Sequence, residues 1–391
     1  MKTQSIELLE AAEAELLPEL TAEELRALRD AGEPGNTPVQ PLTIWSPSKI
    51  LAWQEPPGMN LLGPWLRKGE LTVVFGPPGI GKSRLFGLWL PICQITGQPF
   101  CGLETGGDPQ TWLVIGNENN LARQKSDMQK MLAVLDEAQR AAVERHLRIH
   151  VLRTFEDGDL ALSSVGSATR LRATLTAEQP GAISFDPVGA LVDGDETKPS
   201  DARQMLKTLH SIVRPICPDA ALLLIAHAKV GREAVAQSGI YDGGNYGRGP
   251  KTYLMAARAA MNLKPGDNED AARLVLENSK CNNGPLFQSR GLIFDPETGL
   301  YTVDPDFDRE AWLNDLDGKR SGATCTINDV IDAVRDGNHK RADIANALKD
   351  SIGASLSAVK RALTQAVSKG YLATTMPRGS YTLGAKRKAT G

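Results

Sequence analysis

One glycine-rich stretch contains the residue types needed to hold a phosphate chain. The pattern Gly-x-x-x-x-Gly-Lys-Ser occupies residues 76–83, between the apolar run 71–75 and a stretch with helical spacing. In that context backbone N–H groups converge on phosphate oxygens, and the N-terminus of the following helix faces the same anion. The pattern predicts a site for ATP and Mg²⁺. The residues predicted to contact the nucleotide are Gly76, Pro77, Pro78, Gly79, Ile80, Gly81, Lys82, Ser83 and Arg84.

Two carboxylates follow apolar runs that predict buried strands, Glu118 after 111–116 and Asp186 at the end of 182–186. Carboxyl ends of parallel strands line the ligand crevice of an α/β sheet. Asp186 is therefore predicted to hold Mg²⁺ together with Ser83, while Lys82 contacts the β- and γ-phosphates. The residue after Asp186 is proline rather than a second acid, so Glu118 is the candidate general base. The alternatives are a helix-capping aspartate and a solvated glutamate.

A third strand-end residue is His227, which follows the very apolar run 221–226. Its position predicts a hydrogen bond that senses the γ-phosphate. A lone histidine at a strand end is more often structural, so both interpretations stay open.

The chain predicts an α/β protein with a mostly parallel sheet and a separate C-terminal unit, because strand-like and helix-like segments alternate before an acidic connector. Residues 1–40 are predicted to form acidic amphipathic helices and a linker. This segment is either a solvated appendage or a docking segment. Residues 41–310 form the predicted ATPase core and include a glycine-rich loop, 229–250. Residues 320–385 follow as a small domain, and 386–391 as a basic tail.

The composition favours a protein of the reducing cytoplasm. Its 391 residues are 41% hydrophobic and 23% charged, and the five cysteines form no C-x-x-C pair. No apolar run is long enough to span a membrane. The net charge of −3 conceals an asymmetry, since residues 319–391 carry 13 basic and 5 acidic side chains. A basic terminal unit favours nucleic acid as a partner.

The C-terminal unit is predicted to be a winged helix-turn-helix, with three helices and two short strands around a turn. The predicted helices are 326–335, 341–350 and 356–368, and the predicted strands are 371–374 and 380–383. The third helix would be the recognition helix. A protein-interaction role for the same fold remains the alternative. The basic side chains available for DNA are Lys360, Arg361, Lys369, Arg378, Lys386, Arg387 and Lys388.

The ordered motifs resemble the RecA-like ATPase core, and within it the RepA-type hexameric replicative helicases of plasmids and phages. The resemblance spans roughly residues 60–300. Asn119 stands where an acid is common in that family, alanine follows His227, and Pro250 interrupts a pattern of small residues. The segments that carry the resemblance are GELTVVFGPPGIGKS (69–83), LVIGNE (113–118), FDPVGALV (185–192), IAHAK (225–229), RGP (248–250) and SKCN (279–282).

The resemblance implies a homo-oligomer, expected to be a hexameric ring with nucleotide between subunits. A cation from the neighbouring subunit would stabilise the transferring phosphate, with Lys280 and Arg248 as first candidates and Arg258 as the next. Single-stranded DNA would contact the loops at about 189–200 and 229–247. The second loop offers basic and aromatic groups for this contact, namely Lys229, Arg232, Tyr241 and Tyr246.

These observations favour an ATP-driven replicative helicase of a plasmid, phage or mobile element, with a primase or initiator protein as a further partner. An ATP-switched DNA-binding regulator or helicase loader is the main alternative. A RecA-like recombination ATPase is the third.

Overall fold

The computed structural model divides the chain into two compact units, Met1–Glu55 and Pro56–Gly391. In the first unit one short helix, α1 (Pro47–Ala52), begins at Ser46, whose hydroxyl accepts the Lys49 N–H. The predicted N-terminal segment 1–40 lies outside the described residues. Within the described part of the chain, no helix is both long and apolar enough to cross a membrane. The described residues are 42–154, 156–228, 246–247, 251–267, 270–316, 325–354, 356–375 and 379–385.

A nine-stranded sheet organises the described part of the second unit, in the order β11-β10-β9-β8-β3-β7-β6-β4-β5. From β8 to β5 neighbouring strands run parallel, whereas β9, β10 and β11 continue the sheet antiparallel. The strands are β1 (Asn60–Leu62), β2 (Leu66–Arg67), β3 (Leu71–Gly76), β4 (Trp112–Gly116), β5 (Leu147–Ile149), β6 (Ala182–Asp186), β7 (Ala221–His227), β8 (Ala259–Pro265), β9 (Arg273–Cys281), β10 (Arg290–Phe294), β11 (Tyr301–Val303), β12 (Leu372–Thr375) and β13 (Ser380–Leu383).

Helices cover both faces of this sheet, as an α/β sheet requires. The helix after β3 starts with a π-helical segment, Ser83–Trp89, and continues as α2 (Leu90–Thr96). The other helices are α3 (Leu121–Ala133), α4 (Glu137–His146), α5 (Val165–Glu178), α6 (Pro199–Ile216), α7 (Thr252–Ala256), α8 (Arg309–Leu316), α9 (Ile327–Arg335), α10 (Arg341–Ile352) and α11 (Leu356–Ser368).

Burial on both faces explains why the central strands are nearly continuous apolar runs. Every residue of β3 is buried, and β7 is buried up to His227. One apolar core packs α5 and α6 against the sheet, and a second packs α2 on the opposite face. The predicted α/β fold with a largely parallel central sheet is confirmed.

Two sequence-based boundaries are wrong. The apolar spacing of residues 121–146 predicts one helix, but the structure has two, because the Asp136 side chain accepts the Gln139 N–H and the Gln139 side chain accepts the Asp136 N–H at the start of α4. Residues 148–153 are strand-like in sequence and predict a strand, but β5 ends at Ile149. The chain turns there because the Asp157 carboxylate accepts the backbone N–H groups of Arg153 and Thr154.

Strand register brings the functional ends together. Gly116 of β4 lies opposite Asp186 of β6, and Gly76 of β3 lies opposite His227 of β7. The loops that follow β3, β4, β6 and β7 therefore leave the sheet at one edge.

The C-terminal segment builds its own apolar core from α9, α10, α11, β12 and β13, with β12 and β13 paired antiparallel. Polar contacts join it to the segment before α8. Arg341 Nη1 lies 2.8 Å from Asp306 Oδ2, and Lys360 Nζ donates to the Asp306 carbonyl at 2.7 Å.

A buried ion pair lies between β8 and β9. Lys264 is 1% exposed, and its Nζ lies 2.6 Å from Glu277 Oε2. The ammonium also lies 5.2 Å from the ring centroid of Tyr246 and 5.6 Å from that of Trp312. Burial lowers the pKa of Lys264, and the Glu277 carboxylate opposes that shift.

Removing one partner of this pair is expected to destabilise the fold. Glu277→Gln should lower the free energy of unfolding by about 3–5 kcal/mol, because a buried ammonium is left without its counter-charge. Glu178→Gln is the control, since it breaks the exposed Arg148–Glu178 pair and should cost less than about 1 kcal/mol. Urea unfolding measures both variants. Equal losses in the two would contradict the prediction.

Candidate functional site

The loop between β3 and the following helix adopts a backbone that only glycine tolerates well at two positions. Gly79 has φ +75° and Gly81 has φ +95°. A Cβ on Gly81 would also collide with the hydroxyl of Tyr301 from β11. Lys82 is buried, and its Nζ donates to the Pro77 carbonyl at 2.9 Å, so the ammonium lies over the loop. Burial lowers the pKa of Lys82, while Asp186 and Glu118 raise it.

Ser83 and Asp186 meet below this loop. The Asp186 side chain is hydrogen-bonded to Ser83, and burial raises the pKa of the carboxyl above its usual range. That hydrogen bond and the nearby Lys82 ammonium oppose the rise. A desolvated carboxylate beside a serine hydroxyl is a suitable oxygen pair for Mg²⁺, whose charge would stabilise the ionised carboxylate. The predicted pairing of these two residues therefore occurs in the structure.

Glu118 lies beyond the end of β4 and faces His227 at the end of β7. His227 Nε2 and Glu118 Oε1 are 3.4 Å apart. The hydrogen bond to His227 lowers the pKa of Glu118, with partial burial opposing the shift, so the carboxylate is ionised at neutral pH. Nδ1 of His227 is buried and has no hydrogen-bond partner among the described residues. The histidine is therefore hydrogen-bonded to the candidate base on one side and has a spare polar nitrogen on the other.

These groups line one cavity of about 410 Å³. The loop residues 78–84, both carboxylates and His227 all contribute to its wall. Glycine-loop N–H groups, a buried lysine and a serine–aspartate pair form a donor and ligand set that fits a nucleoside triphosphate with Mg²⁺. Every residue from Pro78 to Arg84 that was predicted to contact nucleotide lines the cavity, whereas Gly76 and Pro77 are not among its lining residues.

The sequence did not reveal a second set of cavity residues beside the loop. Asp127 of α3 is 7% exposed and accepts Arg84 Nη2 at 2.9 Å and Arg123 Nε at 2.8 Å. The Arg84 guanidinium lies 4.8 Å from the ring centroid of Phe294, and Tyr301 is hydrogen-bonded to Arg84. An aspartate within a charged amphipathic helix carries no sequence signal for such a position.

The structure keeps the predicted cation Lys280 away from this cavity. Lys280 pairs with Ala260 in the sheet, and the neighbouring Ala259 pairs with Thr72 near the start of β3. The phosphate-binding loop leaves the far end of β3 at Gly76, roughly 10–13 Å along the strand. Arg258, the other described candidate, is exposed and lies near Lys280. Arg248 lies outside the described residues.

Tyr246 does not present its ring for base stacking, contrary to the sequence-based expectation. It is fully buried against Lys264, below the sheet edge where Ala228 and Gly247 form an antiparallel bridge. Lys229, Arg232 and Tyr241 of the same predicted DNA-binding loop lie outside the described residues.

Together, the glycine loop, the buried lysine, the serine–aspartate pair and the strand-end glutamate define the nucleotide site of a P-loop NTPase. Residues 36–233 match the model of the AAA_25 family, described as an AAA domain. The chain belongs to this family of P-loop NTPases, which is RecA-like and includes RepA-type helicases. No curated protein sequence matches the chain.

In nucleotide hydrolysis each of these side chains would have a distinct role. When bound, Mg²⁺ would supply positive charge that stabilises the phosphates. Ser83 and Asp186 are the residues that would hold it. Lys82 would bind phosphate oxygens and offset negative charge in the transition state. Glu118 is the candidate to accept the proton of the attacking water, and the 3.4 Å contact would let His227 orient that carboxylate.

Proposed function

We propose that the chain is an ATP-hydrolysing DNA motor, a ring-forming replicative helicase of a plasmid, phage or mobile element. The observation that carries the proposal is the convergence of Lys82, Asp186, Glu118 and His227 in one cavity. A nucleotide switch needs only the phosphate and Mg²⁺ ligands. A strand-end carboxylate kept ionised beside the phosphate site favours turnover.

The position of the described cations supports assembly into a homo-oligomeric ring. Arg258 and Lys280 lie near the end of the sheet opposite the phosphate loop, so neither reaches the nucleotide of its own subunit. They could instead contact the phosphate bound at the site of a neighbouring subunit. Lys280 Nζ donates to the Leu254 and Ala257 carbonyls at 2.9 and 2.6 Å, which favours a structural role for it. Of the two candidates within the described residues, the exposed Arg258 is therefore the better one for contacting the nucleotide of a neighbouring subunit.

The C-terminal helices and hairpin support DNA as the partner of the motor. Three helices followed by an antiparallel hairpin have the element order of a winged helix-turn-helix, with α11 as the recognition helix. Arg361 is exposed on that helix, and Lys369 is exposed directly after its last residue. Lys360 instead donates to the Asp306 carbonyl, so DNA would have to compete for its charge. A primase or initiator protein remains a further proposed partner.

Steady-state ATP hydrolysis with and without single-stranded DNA tests the proposal. We expect DNA to stimulate turnover and the protein to displace a labelled strand from a forked duplex while hydrolysing ATP. Stimulation without strand displacement would favour a translocating loader over a helicase. If the ATP turnover rate were the same with and without DNA, and ATP changed only the affinity for DNA, the motor proposal would be wrong. An ATP-switched regulator would then be favoured.

A further inference from the structure

The side chain of Asp127, on α3, contacts the helix that follows the phosphate-binding loop. The Arg84 guanidinium, one residue after the Mg²⁺-binding Ser83, donates to Oδ1 of Asp127 through Nε at 3.1 Å and Nη2 at 2.9 Å. Arg123, from the first turn of α3, donates to Oδ2 at 2.8 Å. One nearly buried carboxylate thus binds the phosphate-loop helix and the first turn of α3 at once.

The same first turn follows directly after the candidate base. Glu118 is three residues before Leu121, where α3 begins, and the Asn120 side chain caps the helix by accepting the Arg123 N–H at 2.9 Å. The connecting residues 117–120 are neither strand nor helix. The position of Glu118 over the phosphate loop therefore depends on what fixes the start of α3, as well as on the end of β4.

We infer that Asp127 is a positioning residue for hydrolysis: it ties α3 to the phosphate-loop helix and so fixes Glu118 over the γ-phosphate site. The inference rests on the proposed ATP hydrolysis. Both carboxylate oxygens of Asp127 accept hydrogen bonds from arginines, which is the arrangement of a tie between two segments and not of the group that takes the proton of the attacking water. Its effect is expected through geometry, and small displacements of a catalytic group are costly.

Two features separate this role from a general contribution to folding. The side chains of Arg84 and Arg123 are 16% and 52% exposed, so the network lies at the cavity wall rather than in the apolar core. Arg84 also lies over Phe294, which holds it even when the carboxylate changes. Loss of the Asp127 charge should therefore loosen the start of α3 while the phosphate loop remains folded.

The test compares Asp127→Asn, Asp127→Glu and the control Glu178→Gln, which breaks a similar arginine–carboxylate pair outside the nucleotide cavity. We expect Asp127→Asn to lower kcat by on the order of 10- to 100-fold, with ATP affinity close to that of wild type. Asp127→Glu should recover part of kcat, and Glu178→Gln should match wild type. Binding of a fluorescent ATP analogue in each variant shows that the protein is folded.

The decisive comparison places Asp127→Asn in a Glu118→Gln background, measured in single-turnover assays. If Asp127 acts through Glu118, the second substitution causes no further fall in rate. A multiplicative further loss, an effect confined to ATP affinity, or wild-type kcat in Asp127→Asn would each overturn the inference. A failure of the proposed ATP hydrolysis can be distinguished from a failure of this inference. In that case the wild-type protein would show no turnover that depends on Glu118.

Discussion

Glu118→Gln is expected to lower the ATP turnover number by on the order of 10²–10⁴-fold, the usual contribution of a general base. Glutamine has nearly the same size and keeps a hydrogen-bonding group near His227, but it cannot take the proton of the attacking water. ATP binding should persist, because Lys82, Ser83 and Asp186 are untouched. Phosphate release measured with saturating ATP, with and without single-stranded DNA, quantifies the loss.

Glu104→Gln is the matched control, since Glu104 is exposed and does not line the nucleotide cavity. It should hydrolyse ATP like the wild type. If Glu118→Gln retained wild-type turnover, another group would have to activate the water. Among the described residues, the other carboxylates in the cavity wall are Asp127, held by two arginines, and Asp186, hydrogen-bonded to Ser83. The assignment of the base would then be wrong.

The sequence predicted that these residues lie close together, because the signals that indicate it are local or depend on one simple rule. The glycine positions and Lys82 lie within eight consecutive residues, where backbone geometry dictates residue type. Glu118, Asp186 and His227 are distant in the chain, but each ends a buried strand. Parallel register then brings strand ends to one edge without further information.

The remaining features could not be predicted because they depend on contacts between segments with no shared pattern. Asp127 is one of several charged residues on α3, and only the approach of Arg84 makes it part of the site. Tyr246 looked like a stacking residue because it lies in a glycine-rich loop. It is buried beside Lys264, a charged residue in a mostly apolar strand. Neither contact is specified by local propensity or periodicity.

The comparison of Lys82→Ala with Glu118→Gln separates binding from chemistry. Lys82→Ala should weaken ATP binding by on the order of 10- to 100-fold, the value of a charge-assisted hydrogen bond to phosphate. Turnover at saturating ATP should also fall, by on the order of 10²–10³-fold, because the ammonium offsets charge in the transition state. Isothermal titration and phosphate release measure the two effects independently.

Lys207→Ala is the control for this substitution, because Lys207 is exposed on α6 and lies outside the cavity wall. Burial already lowers the pKa of Lys82, because desolvating this ammonium is unfavourable and reduces the stability of the fold. Lys82→Ala should therefore not destabilise the fold even while it abolishes activity. Lost activity accompanied by a lower melting temperature would indicate a structural role. Lost activity at unchanged or raised melting temperature is the result expected of a lysine retained for the phosphate it binds.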